Sequence, residues 1–292
     1  MTLAEFLTSN PAALLSLAFI LGLIIGSFLN VVIYRLPLMM ERDWRGQCHE
    51  FLELAAPVPE GAAPAKFNLA EPGSHCPNCK HAIGASENIP VLSYVIQGGK
   101  CAHCKSQISP CYPILETVTA IFSTIVVANF GLSWLTLALL IFTWALIVLT
   151  MIDFDTQLLP DDITLPLLWL GLIINSMGML TSIEDAVWGA VAGYLMLWSI
   201  YWAFKLLTGR EGMGYGDFKL LAALGAWLGW QALPQIILLS SFVGAVVGIS
   251  MIVMKGRDKN IPIPFGPYLA SAGFLALFWS DDLSALFFNF MV

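Results

Sequence analysis

The sequence predicts an all-α polytopic membrane protein of about eight transmembrane helices, with a small cytoplasmic zinc-binding loop domain. Three observations predict it. Of 292 residues, 58% are hydrophobic and only 11% are charged, with a mean hydropathy of +0.78; a soluble domain carries about 25% charge. Apolar runs long enough to cross a bilayer recur along the chain. All 13 lysines and arginines fall in alternate connections between those runs. The net charge of −7 offers nothing to a nucleic acid. The composition also excludes disordered, collagenous and disulfide-rich miniprotein classes.

Taken in order, the first apolar run lies near 13–34. It follows a start with Glu5 and no basic segment, and it is too long for a signal-peptide core, so it reads as a retained span. Residues 36–113 come next and form the only stretch able to make an extramembrane domain. They hold all four histidines (His49, His75, His81, His103) and all six cysteines. Within them, Ala55–Ala65 is rich in Pro and Ala and reads as a flexible linker. Further spans are expected near 114–131, 134–152, 163–180, 186–206, 218–231, 233–254 and 266–281. The run at 218–231 is short, which suits a tilted or partly spanning helix. No internal repeat stands out. The predicted organisation is an N-terminal span at 1–35, a zinc-binding domain at 36–113 and a transmembrane domain of about seven spans at 114–292.

Seven basic residues, Arg35, Arg42, Arg45, Lys66, Lys80, Lys100 and Lys105, lie between spans one and two. Lys205, Arg210 and Lys219 surround the connection from five to six, and Lys255, Arg257 and Lys259 that from seven to eight. With eight spans these connections share one side, which the positive-inside rule makes cytoplasmic. Only acids stand near the spans on the other side: Glu5, Glu184, Asp185, Asp281 and Asp282. Both termini are then expected outside.

The cysteines supply the first chemical signal. Cys76-Pro77-Asn78-Cys79 and Cys101-Ala102-His103-Cys104 are two C-x-x-C pairs with 21 residues between them. Two such turns can converge four thiolates on one zinc ion. A four-thiolate shell is closed, so the ion would be structural and would help fold a loop with little core of its own. Disulfides or a redox pair are the alternatives; a cytoplasmic location disfavours the former. Cys48 and Cys111 remain as expected free thiols, and His75, His81 and His103 as surface neighbours of the turns.

The membrane aspartates are the second signal. Asp153, Asp155, Asp161 and Asp162 cluster after one span, and Asp217 closes Gly212-Met213-Gly214-Tyr215-Gly216-Asp217. Ionisable residues at span ends are costly and therefore functional suspects. Two spans separate Asp153 from Asp217, so the two carboxylates return to one face although 64 positions part them. Paired carboxylates can activate water without a metal: one takes a proton from water and the other protonates the carbonyl oxygen. Gly214 and Gly216 would let an extended substrate approach the backbone. Bland readings stand beside these. Asp161 or Asp162 can be a helix N-cap, Asp155 can be merely solvated, and the glycines can simply form a turn. No βαβ context supports a dinucleotide fingerprint.

Gly214-Tyr215-Gly216-Asp217 matches the G-x-G-D motif of intramembrane aspartyl proteases. Gly26-Ser27-Phe28-Leu29-Asn30-Val31-Val32-Ile33-Tyr34-Arg35-Leu36-Pro37, the double C-x-x-C loop, Leu158-Leu159-Pro160-Asp161 and Pro262-Ile263-Pro264-Phe265-Gly266-Pro267 narrow the likeness. Over nearly its whole length the chain resembles bacterial type IV prepilin peptidases, in their bifunctional leader peptidase and N-methyltransferase form. The resemblance implies that the chain cleaves short basic leaders from type IV prepilins and type II secretion pseudopilins. Cleavage would follow a glycine, at the cytoplasmic face of the inner membrane. The new N-terminal residue would then be methylated from S-adenosylmethionine. By motif match the catalytic pair would be Asp153 and Asp217, and the zinc ligands Cys76, Cys79, Cys101 and Cys104. One departure is visible: the family commonly shows Arg-Tyr-Pro where this chain has Cys111-Tyr112-Pro113, ahead of Glu116. Glu116 is then either a polar site residue or, slightly favoured, a carboxylate at the membrane interface.

Three other readings compete. An ion-coupled transporter explains the aspartates but neither the cysteine loop nor the G-x-G-D spacing. A zinc-bearing membrane scaffold leaves the aspartate pair unexplained. A peptidase without methyltransferase activity fits the residues, because no methyl-donor fingerprint is legible.

Overall fold

The computed structural model describes residues 2–52, 66–210, 212–255 and 264–291. The expected linker Ala55–Ala65 lies outside the described residues, as do Arg257, Lys259, Pro262 and Ile263. The described residues are helical, with no strand among them beyond two isolated antiparallel bridges. The chain divides between Thr136 and Leu137 into two compact units.

In the first unit, α1 (Leu3–Ser9) opens with a capping box: Thr2 and Glu5 exchange side-chain-to-backbone hydrogen bonds of 3.2 and 2.8 Å. α2 (Pro11–Phe51) is capped by Asn10 and begins with Pro at its first position, where no N–H is needed. The expected first span, 13–34, is only its front part. At 1.5 Å per residue its 41 residues reach about 60 Å, twice a hydrocarbon core. Pro37 lies inside the helix although proline removes a helix donor. The strong helix formers Leu38–Met40 and Glu41–Arg42 outweigh it, aided by the Glu41–Arg45 pair at 2.6 Å.

α3 (Leu92–Ile96) is a single turn, and α4 (Cys111–Phe130) packs along α2. A side chain on Gly22 would meet the Ala120 backbone at 2.5 Å, and one on Gly26 the Glu116 backbone at 2.7 Å. The two helices therefore touch backbone to backbone, a membrane packing mode that small residues permit. Arg35 is buried and donates to the carbonyls of Asn68 (3.0 Å) and Pro72 (2.5 Å), tying the returning loop to α2.

The second unit contains most of α5 (Trp134–Thr156), then α6 (Asp161–Ser176), α7 (Ile183–Thr208), α8 (Tyr215–Leu228), α9 (Leu233–Lys255) and α10 (Gly266–Met291). α8 is its centre. Phe218 and the whole stretch from Leu220 to Trp227 are at most 2% exposed where measured as apolar core. α6, α7 and α10 pack against it. Its orphan C-terminal carbonyls at Ala226 and Trp227 accept from the buried Asn175 amide at 2.8 and 3.0 Å. The Trp227 indole donates to the Leu167 carbonyl at 2.8 Å.

Among the described residues, five helices are long and apolar enough to cross a membrane: Pro11–Phe51, Cys111–Phe130, Trp134–Thr156, Ile183–Thr208 and Trp230–Met251. This is a multi-pass membrane protein. The expected count of eight is not established by helix length. α6 has 16 residues, α8 has 14 and the apolar helix Gly266–Trp279 is also short. α8 lies inside protein, so its length answers to packing partners rather than to lipid thickness.

Candidate active site and metal site

Asp153 lies in the last turn of α5 and Asp217 in the first turn of α8. Both are nearly closed off, at 5% and 6% exposure. They line one cleft of about 400 Å³, together with Leu159, Met213, Gly214 and Phe265, and they lie within electrostatic reach of each other. Two buried carboxylates this close are costly unless a task keeps them.

Their surroundings differ. Asp153 sits at the end of α5, where the helix dipole disfavours an anion. It is compensated by the first N–H of α10: Gly266 donates to Asp153 Oδ2 at 3.0 Å. Glycine at 266 lets this approach happen, since a Cβ would stand 2.7 Å from that same oxygen and push the carboxylate aside. Asp217 occupies the third position of α8 and reaches back to the Gly214 amide, as an acidic side chain does at a helix start. Thus helix N-termini from α8 and α10 face the two carboxylates.

The two motif glycines do different things. A side chain on Gly216 would strike Leu159 at 2.7 Å, so this glycine lets α8 close against the cleft wall. Gly214 has open space in front of it: a Cβ there would meet nothing nearer than Asp217 Oδ2 and the Gly216 backbone nitrogen, both at 4.0 Å. Asp161 is not an N-cap: Pro160 holds that position, without a side-chain bond. Instead Lys219 grips both Asp161 oxygens at 2.7 Å on the cleft rim. Asp162 follows in the first turn of α6, and Asp155 and Asp162 are both exposed.

In the first unit, Cys76, Cys79, Cys101 and Cys104 converge, with all four sulfurs within 4.8 Å of one another. A tetrahedral ion with bonds of about 2.3 Å needs sulfurs about 3.8 Å apart, and Cys76 and Cys104 stand at 3.8 Å. The donor set and spacing fit zinc. The backbone N–H groups of Cys79 and then Asn78 hold the Cys76 thiol below its ordinary range. The Ser106 hydroxyl and then its amide bring Cys104 down to about 6. Both favour the thiolate that a metal needs, while Cys79, despite its bond to the His81 backbone, is pushed up to about 11 by desolvation and the neighbouring thiols. Cys48 and Cys111 are exposed and stand apart as free thiols.

Each knuckle is built the same way, 25 positions apart. Cys76 N–H donates to the His81 carbonyl and Cys101 N–H to that of Ser106, at 2.9 and 2.8 Å. Ile83 pairs with Ser74 and Ile108 with Gly99. Lys80 and Lys105 both take the left-handed conformation, at φ 59°. Cys-x-x-Cys-Lys-x-x-Ile therefore occurs twice, a short repeat that the sequence reading passed over. None of the histidines joins the metal cluster. His81 stacks on His103 with ring centres 5.1 Å apart, and His75 bonds the Gly73 carbonyl.

Glu116 lies near the start of α4 and is buried. It is 8% exposed and accepts the Val91 N–H at 2.7 Å, with Ser27 as a second partner. Val91 has a strained φ of 58°, and the Glu116 bond holds it there.

Two family descriptions match: the bacterial peptidase A24 N-terminal domain over residues 20–130 and the type IV leader peptidase family over residues 140–249. A Stutzerimonas stutzeri protein named prepilin leader peptidase/N-methyltransferase is 59% identical over 290 residues, covering 99% of both chains. Proteins of that name from Pseudomonas aeruginosa and Aeromonas salmonicida are 52% and 54% identical. They cover 99% of both chains and 97% and 96% of the two chains, respectively. No solved structure matches. Likeness this strong, carried from one end of the chain to the other, places the protein in the prepilin leader peptidase/N-methyltransferase family.

Proposed function

We propose that this chain cleaves the leader from type IV prepilins and type II secretion pseudopilins after a glycine, and then N-methylates the new N-terminal residue. The observation that carries the peptidase reading is the buried pair Asp153 and Asp217 lining a single cleft. Water entering that cleft meets two carboxylates that share one proton. The ionised one accepts a proton from water while the hydroxyl forms a bond to the scissile carbonyl carbon. The neutral one donates to the carbonyl oxygen. As the C–N bond of the tetrahedral intermediate breaks, the aspartate that took water's proton passes it to the leaving nitrogen, and the other takes back a proton from the hydroxyl formed on the carbonyl oxygen. The leader leaves as a carboxylate and the mature chain as an amine.

The open space before Gly214 supports an extended substrate strand lying along the Gly214–Gly216 turn. The names of the relatives support the methylation step, with S-adenosylmethionine as the methyl donor. That group supplies an electrophilic methyl when bound. Among the described residues no set identifies itself as its site, so no step is assigned to particular side chains. Cys76, Cys79, Cys101 and Cys104 would hold one structural zinc. Its closed thiolate shell leaves no position for substrate.

Membrane placement belongs to the same reading: a bacterial inner membrane protein with the active site facing the cytoplasm and both termini periplasmic. The organisation 1–35, 36–113 and 114–292 belongs to it as well. The alternate placement of every basic residue supports the orientation. Asp153 and Asp217 lie at helix ends, a depth that suits a substrate whose basic leader is in water and whose following helix is in lipid. The test is incubation of the detergent-purified protein with a prepilin, with and without S-adenosylmethionine, followed by product mass. The expected products are a shortened chain and, with the donor, a shortened chain heavier by one methyl.

A further inference from the structure

α3 carries an apolar stripe that the described residues leave uncovered. Leu92, Val95 and Ile96 stand three and four positions apart, on one face of the turn, and all three are exposed, Ile96 at 74%. Ile89, just before the helix, is exposed too. The polar groups between them are already engaged: the Ser93 hydroxyl donates to the Ile89 carbonyl at 2.8 Å, and the Tyr94 ring lies against Gly99. Single exposed apolar residues are ordinary, but a cluster of large ones marks a surface that something covers.

A tether to α4 decides what that cover is. The Val91 N–H at the head of α3 donates to Glu116 at 2.7 Å. Glu116 is the sixth residue of α4, whose 20 residues make about 30 Å at 1.5 Å each, the thickness of a hydrocarbon core. It is also level with Gly26 of α2, where a side chain would meet the Glu116 backbone at 2.7 Å. Gly26 lies eight residues inside the end of the apolar run at 34. By either helix the tether point is about 8 to 12 Å in from the edge of the apolar layer. Amphipathic segments at a membrane surface bury their apolar side about 5–10 Å into the boundary of headgroups and acyl chains. An uncovered stripe fastened at this depth therefore meets lipid. Tyr112 and Ile114 are exposed at the same end of α4.

We propose that residues 89–96 are an interfacial membrane anchor, with Leu92, Val95 and Ile96 inserted where lipid headgroups meet acyl chains. Cys101 follows Ile96 by five positions, so the anchor holds the second cysteine knuckle beside the bilayer surface instead of free in water. The knuckle domain is then fastened by the Glu116 bond on one side of α3 and by lipid on the other. The anchor is independent of the peptidase reading.

The test uses the full-length protein in lipid vesicles, with Cys48→Ser and Cys111→Ser and one introduced cysteine carrying an environment-sensitive fluorophore. Leu92→Cys and, separately, Val95→Cys report on the stripe. Ile121→Cys, in the middle of α4, is the lipid reference, and Glu50→Cys, near the far end of α2, is the water reference. All four sites are exposed, so the label fits without disturbing the fold. The parent without an introduced cysteine gives the blank for the knuckle thiols. Labels at 92 and 95 should emit to the blue of the label at 50. They should also lose emission, as the label at 121 does, when lipids brominated on their acyl chains replace ordinary ones. Emission at either position that matches position 50 and ignores bromine overturns the anchor. Blue-shifted emission that ignores bromine overturns it as well, because protein, from this chain or a second copy, then covers the stripe.

Discussion

Replacing Gly189 by alanine should both destabilise the second unit and slow its chemistry. Gly189 on α7 and Gly225 on α8 face each other, and each would drive a new Cβ into the other's carbonyl group. From Gly189 the new carbon would stand 2.8 Å from the Gly225 carbonyl carbon and 2.9 Å from that of Gly229. Both obstacles are backbone, which cannot rotate away as a side chain does. The helices must part by about 0.5 to 1 Å to restore contact distance. Overpacking of this kind costs about 1–3 kcal/mol, and rigid neighbours place this case near 3. α8 also carries Asp217 eight residues before Gly225, so the separation is passed to the carboxylate. Misplacing a reacting group by about 1 Å can cost about 10²-fold in rate. The assay pairs thermal unfolding in detergent with prepilin cleavage. Gly189→Ala should unfold earlier and cleave roughly 10²-fold more slowly, while zinc content stays at one per chain. An alanine variant with unchanged stability and rate would refute the view that α7 and α8 meet backbone to backbone.

Other outcomes follow from the same geometry. Cys76→Ser should lose the metal and loosen the 74–108 loop to protease, whereas Cys48→Ser and Cys111→Ser should retain it; full occupancy in a Cys76→Ser/Cys101→Ser double variant would remove the assignment. Glu116→Ala leaves the Val91 amide unpaired and should cost about 1–3 kcal/mol, read as faster proteolysis around residues 84–100. Lys219→Ala breaks a half-exposed pair with Asp161 and should shift stability by no more than about 1 kcal/mol. In a Cys48→Ser/Cys111→Ser background, single cysteines at Thr181 and Thr208 should label from opposite sides of the membrane, with Ala102 labelling like Thr208; labelling of 181 and 208 from one side would sink the proposed orientation.

What could be read from the sequence was what depends on residue type and spacing. The four cysteines announced their cluster because C-x-x-C turns leave few other uses for two pairs of thiols. Asp153 and Asp217 were conspicuous as carboxylates at the ends of apolar runs, and they line one cleft with the helices α6 and α7 between them in sequence. Gly266 was quoted only as part of a motif. Its contact with Asp153 spans 113 positions and leaves no periodic trace. The run that became α8 was legible as short, but an apolar run shows burial without saying whether lipid or protein does the burying. α8 is enclosed by protein. The bond that buries Glu116 was not legible because its partner, the Val91 amide, is a backbone group with no side-chain signature. The knuckle repeat escaped because only Cys, Lys and Ile recur in it; backbone hydrogen bonds carry the rest.

The central claim is that Asp153 and Asp217 activate water as a unit. The measurement is leader release from a prepilin by Asp153→Asn, Asp217→Asn and the double variant, each purified and shown to retain zinc. Asparagine keeps the size but cannot titrate, so each single variant should lose at least about 10²–10⁴-fold in cleavage. The double variant should be scarcely slower than either single one. Asp155→Asn and Asp162→Asn, both at exposed positions, should stay close to the unsubstituted rate. Asp217→Asn should still methylate a substrate supplied already cleaved, since methyl transfer to an amine requires no activated water. Substantial cleavage by either single variant would contradict the claim and remove that aspartate from the mechanism.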